Sequence, residues 1–379
     1  MTEHFSLPIQ YNGSTCYTIE LRDSFDDFYH FLVTMNLQSK RLCVVTDSNV
    51  NMLYAEKFVR NLEQCGCQNV TKFVIPAGEE NKTLTVIEEL YEHLIIHQFD
   101  RSDVLIALGG GVTGDMTGYA AATYLRGIRF IQVPTTLLSM VDSSIGGKTG
   151  VDFNGYKNMV GAFHQPSLVY VNLSVLKTLD QRQIAAGMGE IIKHGLIRSK
   201  VYFDWLADNA DNINALDKSA LSKMIFESQK IKKNVVEADP TEKGERAHLN
   251  FGHTIGHAIE KALDFKLLHG ECVALGMVAA AYISHLKGNL SKDDLEYVER
   301  VNLFYGLPVR YYGLDTESIM ANCCHDKKKD GNVIKYVLLE SLGRCYTATD
   351  VLEAEIRESV LYLMSKFPFP ELIYNEKKE

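Results

Sequence analysis

The sequence predicts two joined parts, an α/β N-terminal domain over residues 1–173 and a mainly α-helical C-terminal domain over 174–379. Three observations predict this. Short apolar runs alternate with amphipathic stretches as far as residue 134, the order that builds a sheet covered by helices. From about 174 the apolar spacing becomes helical and stays so, broken by one strand pair. A chain of 379 residues also exceeds what one hydrophobic core usually serves.

The elements follow in order. Residues 16–22 (CYTIELR) read as a strand and 25–36 as an amphipathic helix. RLCVVT (41–46) is an apolar run ending in Asp47-Ser48-Asn49, the pattern of a buried parallel strand opening into a polar loop. A helix over 52–65, a strand at 69–75 and a helix running to about His97 come next, with Glu79 and Lys82 in the loop between the last two. DVLIAL (103–108) is a strand, and FIQVP after Arg126 is another. In the second part, helices are expected at 181–198, 201–207, 217–237, 250–263, 271–287, 292–304, 315–324 and 350–365, with a strand pair around 333–347.

Composition narrows the class of protein. Hydrophobic residues make up 46% and charged residues 23%, ordinary values for a soluble globular chain. A net charge of −9 argues against nucleic acid as a partner. No apolar run approaches the roughly 18 residues of a membrane span, and the first residues lack a basic-then-apolar signal pattern. The eight cysteines show no paired zinc-ribbon spacing, so reduced thiols in a cytoplasm are expected.

Four stretches carry chemistry. The strand at 103–108 runs into Gly109-x-Gly111-x-x-Gly114 and an Ala-rich helix, where glycines let backbone amides approach a pyrophosphate at a helix N-terminus. A tight glycine turn without a ligand is the plainer alternative. No acid lies about twenty residues further on, where Thr135 and Thr136 stand, so Asp47 is the candidate for the ribose contact. Next, TTLLSMVDSSIGGKTGVDFNGYKNMVGAF sets Asp142, Lys148, Lys157 and Asn158 among small residues, a basic glycine-rich loop suited to an anionic substrate.

Third, NFGHTIGHAIEKALDFKLLHGE (250–271) contains His253, His257 and His269. His253 and His257 are four apart and share a helix face, and His269 stands before a glycine where a turn could return it there. Converging imidazoles suit zinc, although a single i,i+4 pair is more often an ordinary solvated or core pair. Fourth, AAGMGEIIKHG places Glu190 and Lys193 three apart, with small residues leaving the carboxylate uncrowded. Alone, this would be a solvated Glu–Lys pair. With two histidines, Glu190 would complete a mixed site with an open position and leave the third histidine for acid/base work. Spacing leaves open which histidine that is. Lys232, Lys233, Arg246 and Lys327 to Lys329 add positive charge to a net-acidic chain, as a multiply anionic small substrate requires.

Taken together, the blocks TDSNV, PAGEENKTL, GGGVTGDMTGYAAATYLRGI, VPTTLLSMVDSSIGGKTGVD, KNMVGAF, GMGEIIKHG, LNFGHTIGHAIE, LHGE and DKK resemble those of the 3-dehydroquinate synthases, members of the sugar phosphate cyclases. They run from about Asp47 to Thr349. The resemblance implies an α/β dinucleotide-binding domain plus a helical metal-binding domain, and a phosphorus–oxygen lyase of the shikimate pathway. Such an enzyme converts 3-deoxy-arabino-heptulosonate 7-phosphate to 3-dehydroquinate and phosphate, using NAD and a divalent metal, zinc or cobalt.

It also implies roles. Glu190, His253 and His269 become the metal ligands. NAD contacts fall on Asp47, Asn49, Glu79, Lys82, Gly111, Asp115, Thr135, Thr136 and Thr178, with Lys148 and Lys157 bordering cofactor and substrate. Asp142, Lys148, Asn158, Lys193, Lys232, Arg246, Asn250 and His257 fall to substrate and proton transfer. Lys328 is the choice within DKK, with Lys327 as defensible. Arg126 resembles a residue lent across the interface of a homodimer. Related cyclases act on sugar phosphates lacking a carboxylate, against which Lys232, Arg246 and Asn250 argue. A polyol dehydrogenase would share the two-domain plan, but GGKTG and the lysines speak against it. A degenerate metabolite-binding module would have lost some of these ligands, and every one is in place.

Overall fold

The computed structural model of the protein describes residues 4–11, 13–240, 244–325 and 335–366. The chain divides into two compact units, one of residues 1–179 with 221–233 and the other of 180–220 with 234–379.

The first unit is built on a seven-stranded sheet in the order β1-β2-β9-β6-β5-β3-β4. Its strands are β1 (Phe5–Tyr11), β2 (Ser14–Arg22), β3 (Leu42–Asp47), β4 (Val70–Ile75), β5 (Val104–Gly109), β6 (Arg129–Pro134) and β9 (Leu168–Asn172). All neighbours pair in parallel except β1, which lies antiparallel on β2. The helices are α1 (Phe28–Thr34), α2 (Ser48–Val50), α3 (Glu56–Gln64), α4 (Leu84–Ile96) and α5 (Gly111–Thr123).

Strand alternation sorts the core into two layers. Leu42, Val44, Val104 and Ile106 point to the side holding Phe28, Leu32, Phe58 and Leu62 of α1 and α3. Cys43, Val45, Leu105 and Phe130 point to the side holding Ile87 and Leu90 of α4 and Met116 and Ala120 of α5. Strands covered on both faces read as unbroken apolar runs, which is why RLCVVT and DVLIAL stand out in the sequence.

Three features of this unit differ from the expectation. Strand β1 was not foreseen, because Pro8 interrupts its alternation; an edge strand tolerates proline, since its outer side needs no N–H. Strand β9, only five residues and wholly buried, closes the sheet between β2 and β6. The glycine-rich stretch read as a loop is instead a hairpin of β7 (Lys148–Phe153) and β8 (Tyr156–Phe163). Gly150 and Gly161 face each other across it, and a Cβ on Gly150 would stand 2.8 Å from the Val160 carbonyl oxygen. Glycine there admits close strand approach, the opposite of the loop signal it normally gives.

The second unit is helical: α6 (Gln181–Arg198), α7 (Lys200–Asp208), α8 (Ala210–Asn214), the two ends of α9 (Lys218–Ala238), α10 (His253–Ala262), α11 (His269–Leu286), α12 (Lys292–Phe304), α13 (Thr316–His325) and α14 (Glu353–Leu363). The expected strand pair is β10 (Tyr336–Ser341) with β11 (Arg344–Ala348). Helix α11 runs through the middle of the unit, buried along nearly all its length. Among the described residues no helix is long and apolar enough to cross a membrane.

Candidate active site

The site in the second unit is set by where three helices can touch. Gly189 on α6 meets Gly270 on α11: a Cβ on Gly189 would stand 2.7 Å from the Gly270 carbonyl oxygen, and one on Gly270 would stand 2.7 Å from the Ala186 Cα. Glu190 follows the first glycine and His269 precedes the second, so this contact brings carboxylate and imidazole together. Helix α10 starts one turn later than expected, at His253, because Gly252 takes the left-handed conformation at φ 78°. The chain returns to α11 through Asp264 and Phe265, also at positive φ.

Ligand atoms of His253, His257 and His269 then lie within 4.8 Å of one another. Nε2 of His253 lies 3.6 Å from Glu190 Oε1, and Nε2 of His269 lies 3.7 Å from the same oxygen. His253 Nδ1 faces the Phe251 carbonyl at 3.2 Å, and His269 Nδ1 faces Glu260 Oε2 at 3.7 Å. Both rings thus turn Nε2 toward Glu190. His257 is exposed, its ring centroid 5.1 Å from that of His253 and 5.6 Å from that of His269.

Glu190 and Lys193 are buried, at 0% and 1% exposure, so they are no solvated pair. Lys193 Nζ donates to Glu190 Oε2, while Glu190 Oε1 is buried with no hydrogen-bond partner. An unmet buried acceptor costs about 1–3 kcal/mol, more for a charged group. Burial raises the Glu190 carboxyl, but Lys193 and the two histidines outweigh it and hold it well below the usual carboxylate range. Burial, then Lys193, push His253 well below the ordinary imidazole value, which leaves a neutral ring. Burial lowers His269 as well, but Glu190 and Glu260 more than offset it and raise it to about 9. A mixed N/O donor set around an unmet carboxylate oxygen fits a divalent cation.

Elsewhere in this unit Arg246 is buried, with Nη1 donating to the Pro240 carbonyl at 2.9 Å, and its turn is tied by Asp239 Oδ2 accepting from the Gly244 and Arg246 amides. Arg198, which the sequence reading did not single out, braces the same turn through Glu245 and His248. Asn250 is exposed at its end. Lys328, with Lys327 and Lys329, lies outside the described residues.

In the first unit the expected cofactor residues collect at strand ends. Asp47 caps α2, Oδ1 accepting from the Asn49 and Val50 amides, while Oδ2 accepts from Thr113 at 3.3 Å. Gly110 caps α5 in extended conformation, and Gly111 opens the helix. The Thr135 hydroxyl is buried without a partner, and Thr136 bonds to Ser139 at 2.9 Å. Thr178 bonds to Tyr54, which the sequence reading missed.

Buried Lys82 donates to Asp115 Oδ2 at 2.7 Å and to Asn158 Oδ1 at 2.6 Å, with Glu79 Oε1 3.8 Å away. Burial pushes the Asp115 carboxyl up to about 6 despite Lys82. Burial lowers Lys82, but Asp115 and Glu79 more than compensate and raise it. Asn158, expected at substrate, thus shares Lys82, a residue expected at NAD, with Asp115, while Lys148 and Lys157 are exposed on the hairpin.

Asp142 lies in a single π-helical turn, Ser139–Ser143, a geometry frequent at functional sites. Lys232 Nζ bonds to its carbonyl at 2.6 Å and pairs with its carboxylate. Gln229, also missed, is fully buried and donates to the Met140 carbonyl at 2.9 Å; its position one turn before Lys232 was the available signal. Arg126 is exposed in a left-handed turn at φ 68°, next to Leu125 at φ 51°.

Comparison with known proteins shows the family. Models of the 3-dehydroquinate synthase N-terminal and C-terminal regions match residues 72–186 and 187–329. The chain belongs to this family. It is similar to a 3-dehydroquinate synthase of Ruminiclostridium cellulolyticum, 45% identical over 328 residues that cover 86% of this chain and 91% of that one. Among solved structures it resembles ValA, a 2-epi-5-epi-valiolone synthase of Streptomyces hygroscopicus with NAD+ and Zn2+ bound, at TM-score 0.85 and 27% identity over 94% of this chain and 98% of that one. It also resembles a 2-deoxy-scyllo-inosose synthase complexed with carbaglucose-6-phosphate, NAD+ and Co2+, at TM-score 0.84 and 26% identity over 94% and 99%.

Proposed function

We propose that this family member works as a 3-dehydroquinate synthase, a phosphorus–oxygen lyase. It converts 3-deoxy-arabino-heptulosonate 7-phosphate to 3-dehydroquinate and phosphate by oxidation, phosphate elimination, reduction and intramolecular aldol closure. The observation that carries the reading is the convergence of His253 Nε2 and His269 Nε2 on the unmet Glu190 Oε1. The carboxylate-lacking cyclases are the weaker reading: they stand at 26–27% identity, against 45% for the dehydroquinate synthase.

When bound, NAD supplies a hydride acceptor restored within the turnover and a divalent cation supplies a Lewis acid at the hydroxyl to be oxidised. Glu190, His253 and His269 are the residues that would hold the cation, zinc or cobalt. Lys193 keeps Glu190 ionised, and the Phe251 carbonyl keeps the proton of His253 on Nδ1, so both present lone pairs. His257, exposed one turn from His253, moves protons at the edge of the site. Asp47, Asn49, Glu79, Lys82, Gly111, Asp115, Thr135, Thr136 and Thr178 serve the nucleotide, with Lys148 and Lys157. Lys232 beside Asp142, and Lys193, Arg246 and Asn250, supply cationic and polar groups for an anionic substrate.

The same reading makes the protein a cytoplasmic homodimer. None of the seven described cysteines is in a disulfide, which suits a reducing compartment. Exposed Arg126 in its strained turn is suited to reach a second subunit's phosphate pocket. On that basis Arg126→Ala raises KM for the phosphorylated substrate while leaving NAD affinity unchanged.

The test feeds the heptulosonate phosphate with substoichiometric NAD and follows phosphate and absorbance at 340 nm together. Phosphate release well beyond the NAD supplied, without NADH build-up, is expected. Conversion of the supplied NAD to NADH, with turnover stopping there and no phosphate released, would instead mark a dehydrogenase.

A further inference from the structure

Glu260 is a buried acid on α10, 4% exposed, that the ligand set just proposed does not use. It stands seven residues after His253 on one helix, two turns along the same face. Its Oε2 is 3.7 Å from Nδ1 of His269, whose Nε2 is 3.7 Å from Glu190 Oε1. The His269 ring therefore lies between two buried carboxylates, one facing each nitrogen.

We propose that Glu260 is a positioning residue of the cation site: it faces Nδ1 of His269 and so orients the ring with Nε2 toward the ion. The proposal rests on the reading of Glu190, His253 and His269 as ligands. The orientation of the two ligand histidines carries it.

Both ligand histidines are held alike. His253 has a carbonyl at Nδ1 and His269 has the Glu260 carboxylate, and each turns Nε2 to Glu190. A partner on the far ring nitrogen fixes tautomer and ring angle, and a carboxylate makes the imidazole a stronger donor than a carbonyl does.

The test measures Zn2+ and Co2+ affinity by competition with a chromophoric chelator, with the Co2+ visible spectrum as a second readout. Wild type, Glu260→Gln and Glu260→Asp are compared, and the melting temperature of each metal-free protein is recorded. Wild type binds one ion; Glu260→Gln binds it about tenfold to a hundredfold more weakly, with an altered Co2+ spectrum and an unchanged metal-free melting temperature. Glu260→Asp falls between. Wild-type affinity in either variant overturns the proposal, as does a loss that only follows a lowered melting temperature. If Glu260→Gln does not fold, Glu260→Asp decides alone by the same criterion. Absence of metal binding by wild type would instead sink the ligand reading itself, and so the two failures are told apart.

Discussion

The charged groups expected to meet a ligand differ between the two units. In the second unit they converge on an atom that nothing satisfies, Glu190 Oε1, with two imidazole nitrogens turned toward it. In the first unit they satisfy one another: Lys82 holds Asp115 and Asn158, Lys232 holds Asp142, and both Asp47 oxygens accept hydrogen bonds. A cation entering the first kind of site removes an unmet acceptor. A nucleotide entering the second kind must exchange existing bonds for its own, so its net gain per contact is smaller.

That difference can be broken or sharpened by substitution. The largest effect belongs to Glu190→Ala, which removes the shared acceptor and leaves Lys193 buried without its counter-charge. Loss of turnover by about a thousandfold or more is expected, with folding stability lowered by about 3 kcal/mol or more. Steady-state phosphate release and urea denaturation check both parts; near-normal turnover would break the contrast.

Next comes Gly270→Ala. A Cβ there meets Ala186 of α6, so the helices must part and Glu190 must leave His269. A destabilisation of about 2–3 kcal/mol with reduced metal content is expected. A variant as stable and metal-rich as wild type would show that glycine contact does not set the site.

In the first unit the expected effects are milder. Folding holds the Asp115 carboxyl at about 6, above its unfolded value. A raised value means the group's stabilising contribution is full below the unfolded pKa of about 3.9 and is lost as pH rises through about 6. Asp115→Asn cannot ionise, so its stability relative to wild type should rise between about pH 5 and pH 7.5, by no more than about 3 kcal/mol. Denaturation curves at both pH values check this, and a constant difference would contradict it. The smallest effect is that of Asp47→Ala, which loses the cap of α2 and about 1 kcal/mol, whereas Asp47→Asn keeps most of that stability. Thermal melts separate the two, and equal losses would argue against the cap.

Much of this was legible in the sequence, for physical reasons. RLCVVT and DVLIAL announce themselves because strands buried on both faces tolerate only apolar side chains. Helices α6, α9 and α12 are found within two residues of their expected ends because periodicity and caps such as Asp180, Asp217 and Ser291 mark them. His253, His257 and His269 were visible because imidazoles that close together invite a ligand.

What stayed hidden depends on the partner rather than the residue. Glycine reads as a turn, yet Gly150 and Gly161 serve a hairpin because each faces the other. Strand β9 is too short to show a period. The double engagement of Asp47, the anchoring of Met140 by Gln229 and the approach of Glu260 to His269 join positions that sequence spacing does not relate.

The central claim is that one divalent ion is shared by Glu190, His253 and His269. Metal content by mass spectrometry of purified wild type, His253→Ala, His269→Ala and His257→Ala, each loaded with Zn2+ and desalted, tests it most directly. About one ion per chain in wild type and His257→Ala, with little in the other two, is predicted. Full occupancy in His253→Ala together with loss in His257→Ala would contradict it.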